Sequence, residues 1–357
     1  MYLQHLQGVR SLCAAWVLCG RFLPDEHAGI WNVGLQRASC GVDIFIVLSG
    51  FVSQWNAPHE VREACSFYLR RAVRLLPAFW LAMAWSLVLK PEAPSPRCVV
   101  LLQWSKEEAM NCPNGATATV AMLLPCWLIY PWMSSPLCKL GAKQSFVAAV
   151  VCWFLVAGLA TADDRHAWLQ LDGLVSTTVG FGLGVAAARV AQEAFPDGAE
   201  TDPLAAKSIS WIWGALADLV AATAAVLVAF VRDSSRQIKT EARTDSESFP
   251  LRCISLFAAL YFLFSSAGRR GQGVVQAVLS HTSLASLGKY TLYVYLFQEP
   301  LFRSIDLVVP LQHSAEGFVF FVLLLWLIAG LYAEHVELWL LQMVYMHEIP
   351  ESRDEFS

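Results

Sequence analysis

The sequence predicts an all-α, polytopic transmembrane helical bundle of about ten transmembrane helices. The first observation is composition. The chain has 357 residues, 56% of them hydrophobic and only 15% charged, with a mean hydropathy of +0.48. A soluble domain needs more charge to cover its surface. The second observation is that apolar runs long enough to cross about 30 Å of hydrocarbon recur along the whole chain.

Ten apolar runs are the predicted membrane spans. They lie near residues 6–23, 40–55, 72–89, 118–133, 146–161, 168–190, 209–231, 249–267, 284–302 and 317–341. The fourth run is the weakest, because Pro125 and Pro131 interrupt it. The first has the length of a signal-peptide core, but no Lys or Arg occurs in the preceding MYLQHLQG, and no small-residue cleavage pattern follows Gly20. We therefore expect a retained first helix.

The connections between the runs predict a single membrane domain over residues 1–357. One of the two long connections, the polar loop at 232–249, and the polar tail at 346–357 have the composition of solvated segments. We find no internal repeat, which weakens a transporter interpretation. An inside amino terminus would place the arginines around residues 62–74 in the cytoplasm, but the 232–252 region has a comparable number on the other side. Orientation therefore stays open.

Charge and cysteine content exclude two classes of site. The net charge of -4 is spread without a basic block, so nothing indicates a nucleic-acid partner. The ten cysteines include no CxxC pair and no Cys/His spacing suited to zinc, and we predict no metal site. Most are interpreted as core residues. Cys98 and Cys112 share one polar loop and can form a disulfide if that loop faces an oxidising compartment.

Two arginines in the first span are candidate functional charges. In VRSLCAAWVLCGRF, Arg10 and Arg21 are eleven residues apart. That spacing is three helical turns, so both side chains project from nearly the same face, about 16 Å apart along the axis. Two interpretations remain open. The arginines reach the membrane interface by snorkelling, or they serve function inside the bundle.

The second and third spans carry further charged residues. In SCGVDIFIVLSGFVSQW, Asp43 is the only ionisable residue and falls in the predicted first turn, where the helix dipole favours a carboxylate; the alternative is an orienting role in a site. In FYLRRAVRLLPAFW, Arg70, Arg71 and Arg74 form one cationic edge. Such an edge is either a topology determinant or a phosphate clamp.

Several stretches carry a family resemblance. LQGVRSLCAAW, GVDIFIVLSGF and FYLRRAVRLLPAFW, in that order within the first eighty residues, resemble the opening of the acyltransferase-3 family of integral membrane O-acyltransferases. LGKYTLYVYLFQEP resembles the late helix of that family, and VSTTVGFGLGVAAA resembles its Gly-rich middle helix. The resemblance covers nearly the whole chain.

The resemblance implies about ten membrane helices in a lipid bilayer and transfer of an acyl group from acyl-CoA to a hydroxyl of a carbohydrate, lipid or other cell-surface acceptor. It implies no permanently bound cofactor, since acyl-CoA is a substrate. The residues assigned on this basis are the catalytic candidates Arg10, Arg21 and Asp43, the CoA-phosphate clamp Arg70, Arg71 and Arg74, and the substrate-binding candidates Ser49, Tyr295 and Gln298.

The sequence differs from the family at the positions of the proposed catalytic residues. Eleven residues after its first-helix arginine the family has a histidine, the proposed base, where this chain has Arg21. An arginine cannot accept a proton. The Tyr-Leu-x-His pattern of the late helix ends here in Gln298, and ATVAMLLPCWLIYP lacks the acid that the family often has before a proline.

Another base is then required for turnover, and His27, Asp43, His281 and Glu299 are the titratable candidates. Two alternatives to an active enzyme remain. The chain is a catalytically impaired member that binds acyl-CoA or a partner protein, or it is a transporter. The transporter alternative is weaker, because the charges cluster toward helix ends and not at the membrane midplane.

Overall fold

The computed structural model describes residues 3–23, 32–56, 61–90, 95–103, 112–162, 169–194, 203–230, 252–267, 273–308 and 315–348. All regular secondary structure in these ranges is helical. The predicted polar loop at 232–249 lies outside the described residues, as do residues 349–357 of the predicted tail.

The helices are numbered in chain order. They are α1 (Gln4–Phe22), α2 (Asn32–Leu35), α3 (Ser39–Trp55), α4 (Val61–Leu89), α5 (Pro96–Val99), α6 (Thr117–Lys139), α7 (Ala142–Ala162), α8 (Leu169–Ala194), α9 (Pro203–Phe230), α10 (Ile254–Ala267), α11 (Val274–Leu279), α12 (Thr282–Leu287), α13 (Thr291–Asp306), α14 (Ala315–Leu331) and α15 (Leu338–Glu348). A π-helical turn (Tyr332–Glu337) joins α14 to α15.

The predicted helical membrane bundle is confirmed. Among the described residues, five stretches are long and apolar enough to cross a membrane, in α4, α7, α8, α9 and the continuous rod from α14 to α15. Shorter apolar helices include α3, α6 and α10. Helix α6 runs unbroken through Pro125 and Pro131, so the two prolines do not divide the fourth span. The assignment of the whole chain to one domain stays a prediction.

The lipid-facing surface is recognisable from large apolar side chains that the protein leaves mostly uncovered. Leu155 of α7, Leu219 of α9 and Leu323 of α14 are each more than half exposed. In water such a surface would be unstable, whereas lipid tails cover it without cost. These helices form the outside of the bundle, and the protein is a multi-pass integral membrane protein.

Helix α1 lies between two hydrophobic cores. Its amino-terminal half, including Leu6, packs in a core with Phe51 of α3 and Leu183 of α8. Further along the same helix, Leu18 packs in a second core that contains Phe297 of α13. Because α1 belongs to both cores, its position is fixed on either side, and the direction of its polar face is fixed with it.

The backbones of helices α3 and α8 approach each other closely at two glycines. A Cβ atom on Gly50 would lie 2.0 Å from the carbonyl oxygen of Phe181, and one on Gly184 would lie 2.0 Å from that of Val47. Neither distance is sterically possible for a side chain. Small residues permit this close packing in membranes, where van der Waals contact and not hydrophobic burial drives helix association.

One disulfide joins Cys98 to Cys112, so the disulfide that the sequence permitted is confirmed. Immediately after it, the Asn114 side chain donates a hydrogen bond to the carbonyl oxygen of Leu296 in α13 (2.9 Å). The end of the bundle that includes this disulfide and the carboxyl end of α1 is called the disulfide face. The opposite end, where α1 begins, is called the amino-terminal face.

Substitution of Gly184 by Ala is expected to force α3 and α8 apart. We expect a loss of roughly 1–3 kcal/mol in the free energy of unfolding, typical of overpacking, seen as a lower thermal midpoint in detergent. Gly182→Ala is the matched control, because no atom lies within 4 Å of a Cβ placed there. Equal thermal midpoints for the two variants would contradict the proposed helix contact.

The disulfide also predicts orientation, because disulfides persist in oxidising compartments. Cys65 is exposed on the amino-terminal face, at the start of α4, and is therefore expected to face the cytosol. A membrane-impermeant maleimide should modify Cys65 only after cells are permeabilised, with Cys65→Ser as the background control. Labelling of Cys65 in sealed cells would reverse the orientation.

Candidate functional site

A cavity of about 260 Å³ opens among α1, α3, α4, α6 and the beginning of α13. Its lining is mostly apolar, with Phe45, Leu48, Leu75, Leu123 and Trp127 among the contributing side chains. The site lies in the half of the bundle nearest the amino-terminal face. The helices that surround it also supply its charged groups, and these distinguish it from an ordinary packing defect.

Four cationic side chains line this pocket, which we call the cationic cavity: Arg10, Arg71, Arg74 and Lys289. They come from α1, α4 and the turn before α13, three regions far apart in sequence. Intramembrane cations are rare, because the charged form is costly in a medium of low dielectric constant. Four cations on one small cavity therefore indicate a binding role for an anion.

Arg71 is held most rigidly of the four. Its Nη2 donates a hydrogen bond to Ser53 Oγ (2.6 Å), and its guanidinium carbon lies 4.4 Å from the ring centroid of Phe67 and 4.8 Å from that of Trp127. Cation–π contacts with two rings fix the guanidinium and partly replace its hydration. The Trp127 Nε1–H is bonded to Ser49 Oγ (2.8 Å), which fixes the indole in turn.

The charge of Arg71 is not balanced by a carboxylate in the part of the chain that the structure describes. Its electrostatic neighbours there are Arg10 and Arg74, which carry the same sign, and the Tyr130 hydroxyl. None of the ion pairs among the described residues includes Arg71. Removing an unpaired charge from water costs several kcal/mol. An anion bound beside Arg71 would offset this cost.

Arg74 is arranged differently, because it has a carboxylate partner. Its Nε donates to Glu337 Oε1 (2.6 Å), and the Tyr293 hydroxyl donates to the other carboxylate oxygen (2.5 Å). The Glu337 side chain is only 8% exposed and lies in the π-helical turn. Such turns are rare and occur frequently at functional sites.

A second charged cluster lies at the disulfide face. One carboxylate oxygen of Glu299 accepts a hydrogen bond from Arg21 Nη2 (2.8 Å), and the other accepts one from Arg303 Nη2 (2.5 Å). The backbone N–H of Gly115, three residues after the disulfide, also donates to Glu299 (2.9 Å). Two guanidinium groups and a backbone amide therefore occupy both oxygens of this carboxylate.

Tyr295 lies between the two charged regions. Its side chain lines the cationic cavity, its hydroxyl is 2.8 Å from Thr119 Oγ1, and Arg21 and Glu299 are its electrostatic neighbours. Glu299 follows it by one helical turn. The two charged regions are therefore neighbouring but separate, and Tyr295 forms part of the wall between them.

Five of the residues that the sequence singled out meet at this cavity. They are Arg10, Ser49, Arg71, Arg74 and Tyr295. They belong to four different helices, so the fold brings together residues that the sequence places up to 285 positions apart.

The remaining four do not line it. Arg70 is exposed, while Arg21 belongs to the Glu299 cluster. Asp43 is partly buried, and its predicted place in the first turn was wrong because α3 begins at Ser39. Gln298 is 1% exposed, and neither of its amide atoms has a hydrogen-bond partner among the described residues.

Among the described residues that line the cavity there is no histidine and no carboxylate side chain. Of the candidate bases, His281 is exposed at the start of α12, and His27 lies outside the described residues. Within the described ranges, no group of three or more His, Cys, Asp or Glu side chains is placed to hold a metal ion. The chemistry available in the cavity is therefore that of cations and hydroxyl groups.

Three residues of the site were missed in the sequence. Lys289 and Tyr293 lie inside the late-helix stretch, in which the resemblance indicated only Tyr295 and Gln298 as candidates. Glu337 had a recognisable signal, because an acid inside the most apolar run of the chain is costly unless it serves a purpose. Its partner could not be read from the pattern, since Arg74 is 263 residues away.

A search against protein-family models matches residues 3–333 to the acyltransferase domain of the acyltransferase-3 family. No curated protein and no solved structure matches the chain. The matched range contains the cationic cavity, the Glu299 cluster and all but the end of the last membrane-spanning rod. The chain belongs to the acyltransferase-3 family of membrane acyltransferases.

Proposed function

We propose that this protein transfers an acyl group from acyl-CoA to a hydroxyl of a carbohydrate, lipid or other cell-surface acceptor, and that the cationic cavity binds the CoA phosphates. Membership of the family supports acyl transfer in general. The single observation that carries the choice of donor is Arg71, a guanidinium held between two aromatic rings with no described carboxylate to balance it.

The geometry of Arg71 suits a phosphate. A guanidinium has five N–H donors, and Ser53 accepts from Nη2, so donors remain for a ligand. Planar guanidinium groups match phosphate oxygens in bidentate pairs. Arg10, Arg74 and Lys289 add positive charge around the same volume. A cavity of about 260 Å³ encloses only part of CoA, and we place the diphosphate and the adjoining arm inside it.

The transfer step needs more than donor binding. The acceptor oxygen attacks the thioester carbon, the C–O bond forms, the C–S bond breaks, and the hydroxyl proton passes to a base and then to the CoA thiolate. Arg10 is the proposed cation that stabilises the oxyanion as it develops. The base comes from outside the described cavity lining, because that lining contains no histidine and no carboxylate.

The second candidate function is acyl-CoA binding without turnover. It is favoured by the state of Arg21, which occupies the family's histidine position and is paired with Glu299. An arginine in an ion pair neither accepts a proton nor moves freely to a substrate. In this alternative the donor site is retained and signals to a partner.

Arg71→Ala is expected to weaken the binding of acetyl-CoA by roughly 10- to 150-fold, the equivalent of a charge-assisted hydrogen bond of about 1.5–3 kcal/mol. The measurement is titration of the purified protein in detergent. Arg70→Ala is the matched control, since the neighbouring arginine is exposed and outside the cavity, and its affinity should stay within about twofold of native. Equal losses in both variants would contradict the assignment.

Release of CoA thiol from acetyl-CoA separates the two candidate functions. We expect native protein in its own membranes to release CoA faster than membranes without it, and Arg71→Ala to lower the rate at subsaturating donor at least tenfold. Arg21→His supplies the comparison, because an imidazole bonded to Glu299 keeps its other nitrogen free as a base. Release by Arg21→His alone, with none by the native protein, would favour binding without turnover.

A further inference from the structure

We infer that Tyr293 acts only as a hydrogen-bond acceptor in the cationic cavity and receives an N–H or O–H group of the pantetheine arm of the donor. The inference rests on the proposed acyl-CoA function and deepens it. It starts from the pair of Tyr293 and Glu337, which is built into the cavity wall independently of any ligand.

The hydroxyl of Tyr293 has its single proton committed. Tyr293 lines the cavity, is 1% exposed and donates its proton to Glu337 Oε2 (2.5 Å). A phenolic hydroxyl has one proton and otherwise only lone pairs. Any further hydrogen bond that Tyr293 makes is therefore one in which it accepts.

Glu337 fixes two cavity residues at once. One carboxylate oxygen accepts from Tyr293 and the other from Arg74 Nε, and the tyrosine hydroxyl also lies beside the Arg74 guanidinium. The Nε of Arg74 is occupied by Glu337, and a guanidinium has four further N–H donors, so Arg74 is able to bind a phosphate as well. A ligand phosphate at Arg74 thus places the adjoining part of the ligand beside Tyr293.

The cavity needs such an acceptor, because its charged groups are all donors. Arginine and lysine side chains have no acceptor atoms. The hydroxyl groups of Thr119 and Tyr295 are bonded to each other and keep lone pairs, but one of the two also keeps a proton to donate, whereas Tyr293 can only accept. The pantetheine arm begins at the diphosphate of CoA and carries a hydroxyl and two amide N–H groups. These groups find no acceptor on the cations, and leaving them unpaired in an enclosed site would weaken binding.

The test compares two probes in purified full-length protein. Acetyl-CoA carries the arm, while the nucleotide half of CoA, phosphoadenosine diphosphate, has the same phosphates without the arm. Tyr293→Phe is expected to lower the affinity for acetyl-CoA roughly tenfold, as for the loss of one buried hydrogen bond. Its affinity for the nucleotide half should stay within about twofold of the native value.

Tyr290→Phe is the matched control. Tyr290 donates to Glu334 (2.6 Å), the same kind of pair three residues earlier on each helix, but it is not among the residues lining the cavity. This variant should bind both probes as the native protein does, and a thermal unfolding midpoint for each variant confirms that it is folded.

Glu337→Gln provides a second prediction, in which the affinities for the two probes change differently. The amide of Gln can donate to the Tyr293 oxygen, which turns the tyrosine proton toward the cavity, and the loss of one negative charge strengthens the attraction for phosphate. We expect weaker binding of acetyl-CoA relative to the nucleotide half, which binds as tightly as before or more tightly. A purely structural role for Glu337 would weaken both probes together.

The outcomes separate this inference from the proposed function. If native protein binds neither probe, the acyl-CoA proposal fails and this inference fails with it. If native protein binds both, and Tyr293→Phe either keeps native affinity for acetyl-CoA or loses affinity for both probes equally, Tyr293 is not the acceptor for the arm and the acyl-CoA proposal is unaffected.

Discussion

A guanidinium inside a membrane protein must be stacked, hydrogen-bonded or neutralised, and the site depends on how Arg71 meets this constraint. Two aromatic rings and the Ser53 hydroxyl hold it, and the tryptophan of that pair is held by Ser49. These contacts fix the direction of the charge without cancelling it. In the proposed function a bound anion relieves the remaining electrostatic cost, and the same contacts that fix Arg71 then also favour the ligand.

Helix α1 distributes the two arginines of the first span between different tasks. Its amino-terminal half packs in one core and its carboxyl half in the other, so its polar face is fixed along its length. Arg10 consequently lines the cavity, while Arg21 reaches the Glu299 cluster near the disulfide face. Arg21 is an ion-paired group that connects α1 to α13 where the family has a histidine.

The two carboxylates of α13 and the π-helical turn act in opposite ways. Glu299 is shared by two arginines and a backbone amide, which saturates it and joins three chain segments. Glu337 is shared by one arginine and one tyrosine, both of which keep a face toward the cavity. The first carboxylate stabilises the bundle, and the second sets the hydrogen-bonding character of the site.

Hydropathy was sufficient to locate the membrane helices, because the lipid solvent imposes a length and an apolar composition on each of them. Predictions of helix interruptions and helix ends were less accurate than the location of the helices. Prolines in α6 suggested an interruption that membrane helices tolerate, and α3 began earlier than expected, which moved Asp43 out of the first turn.

The side-chain pairs of the site were beyond prediction from one sequence. Arg70 and Arg71 are adjacent in one motif, but successive residues on a helix point about 100° apart, and only the packing of α4 decides which one faces the cavity. The pairs of Arg74 with Glu337 and of Arg21 with Glu299 join residues more than 260 positions apart. No local pattern encodes such pairs.

The most direct test of the account is a structure determined with a non-hydrolysable acyl-CoA analogue bound. The account predicts phosphate density within hydrogen-bonding distance of the Arg71 guanidinium, between the rings of Phe67 and Trp127 and the side chains of Arg10 and Arg74. An analogue bound elsewhere, with the cationic cavity unchanged or filled by lipid, would contradict the central claim that this cavity is the donor site.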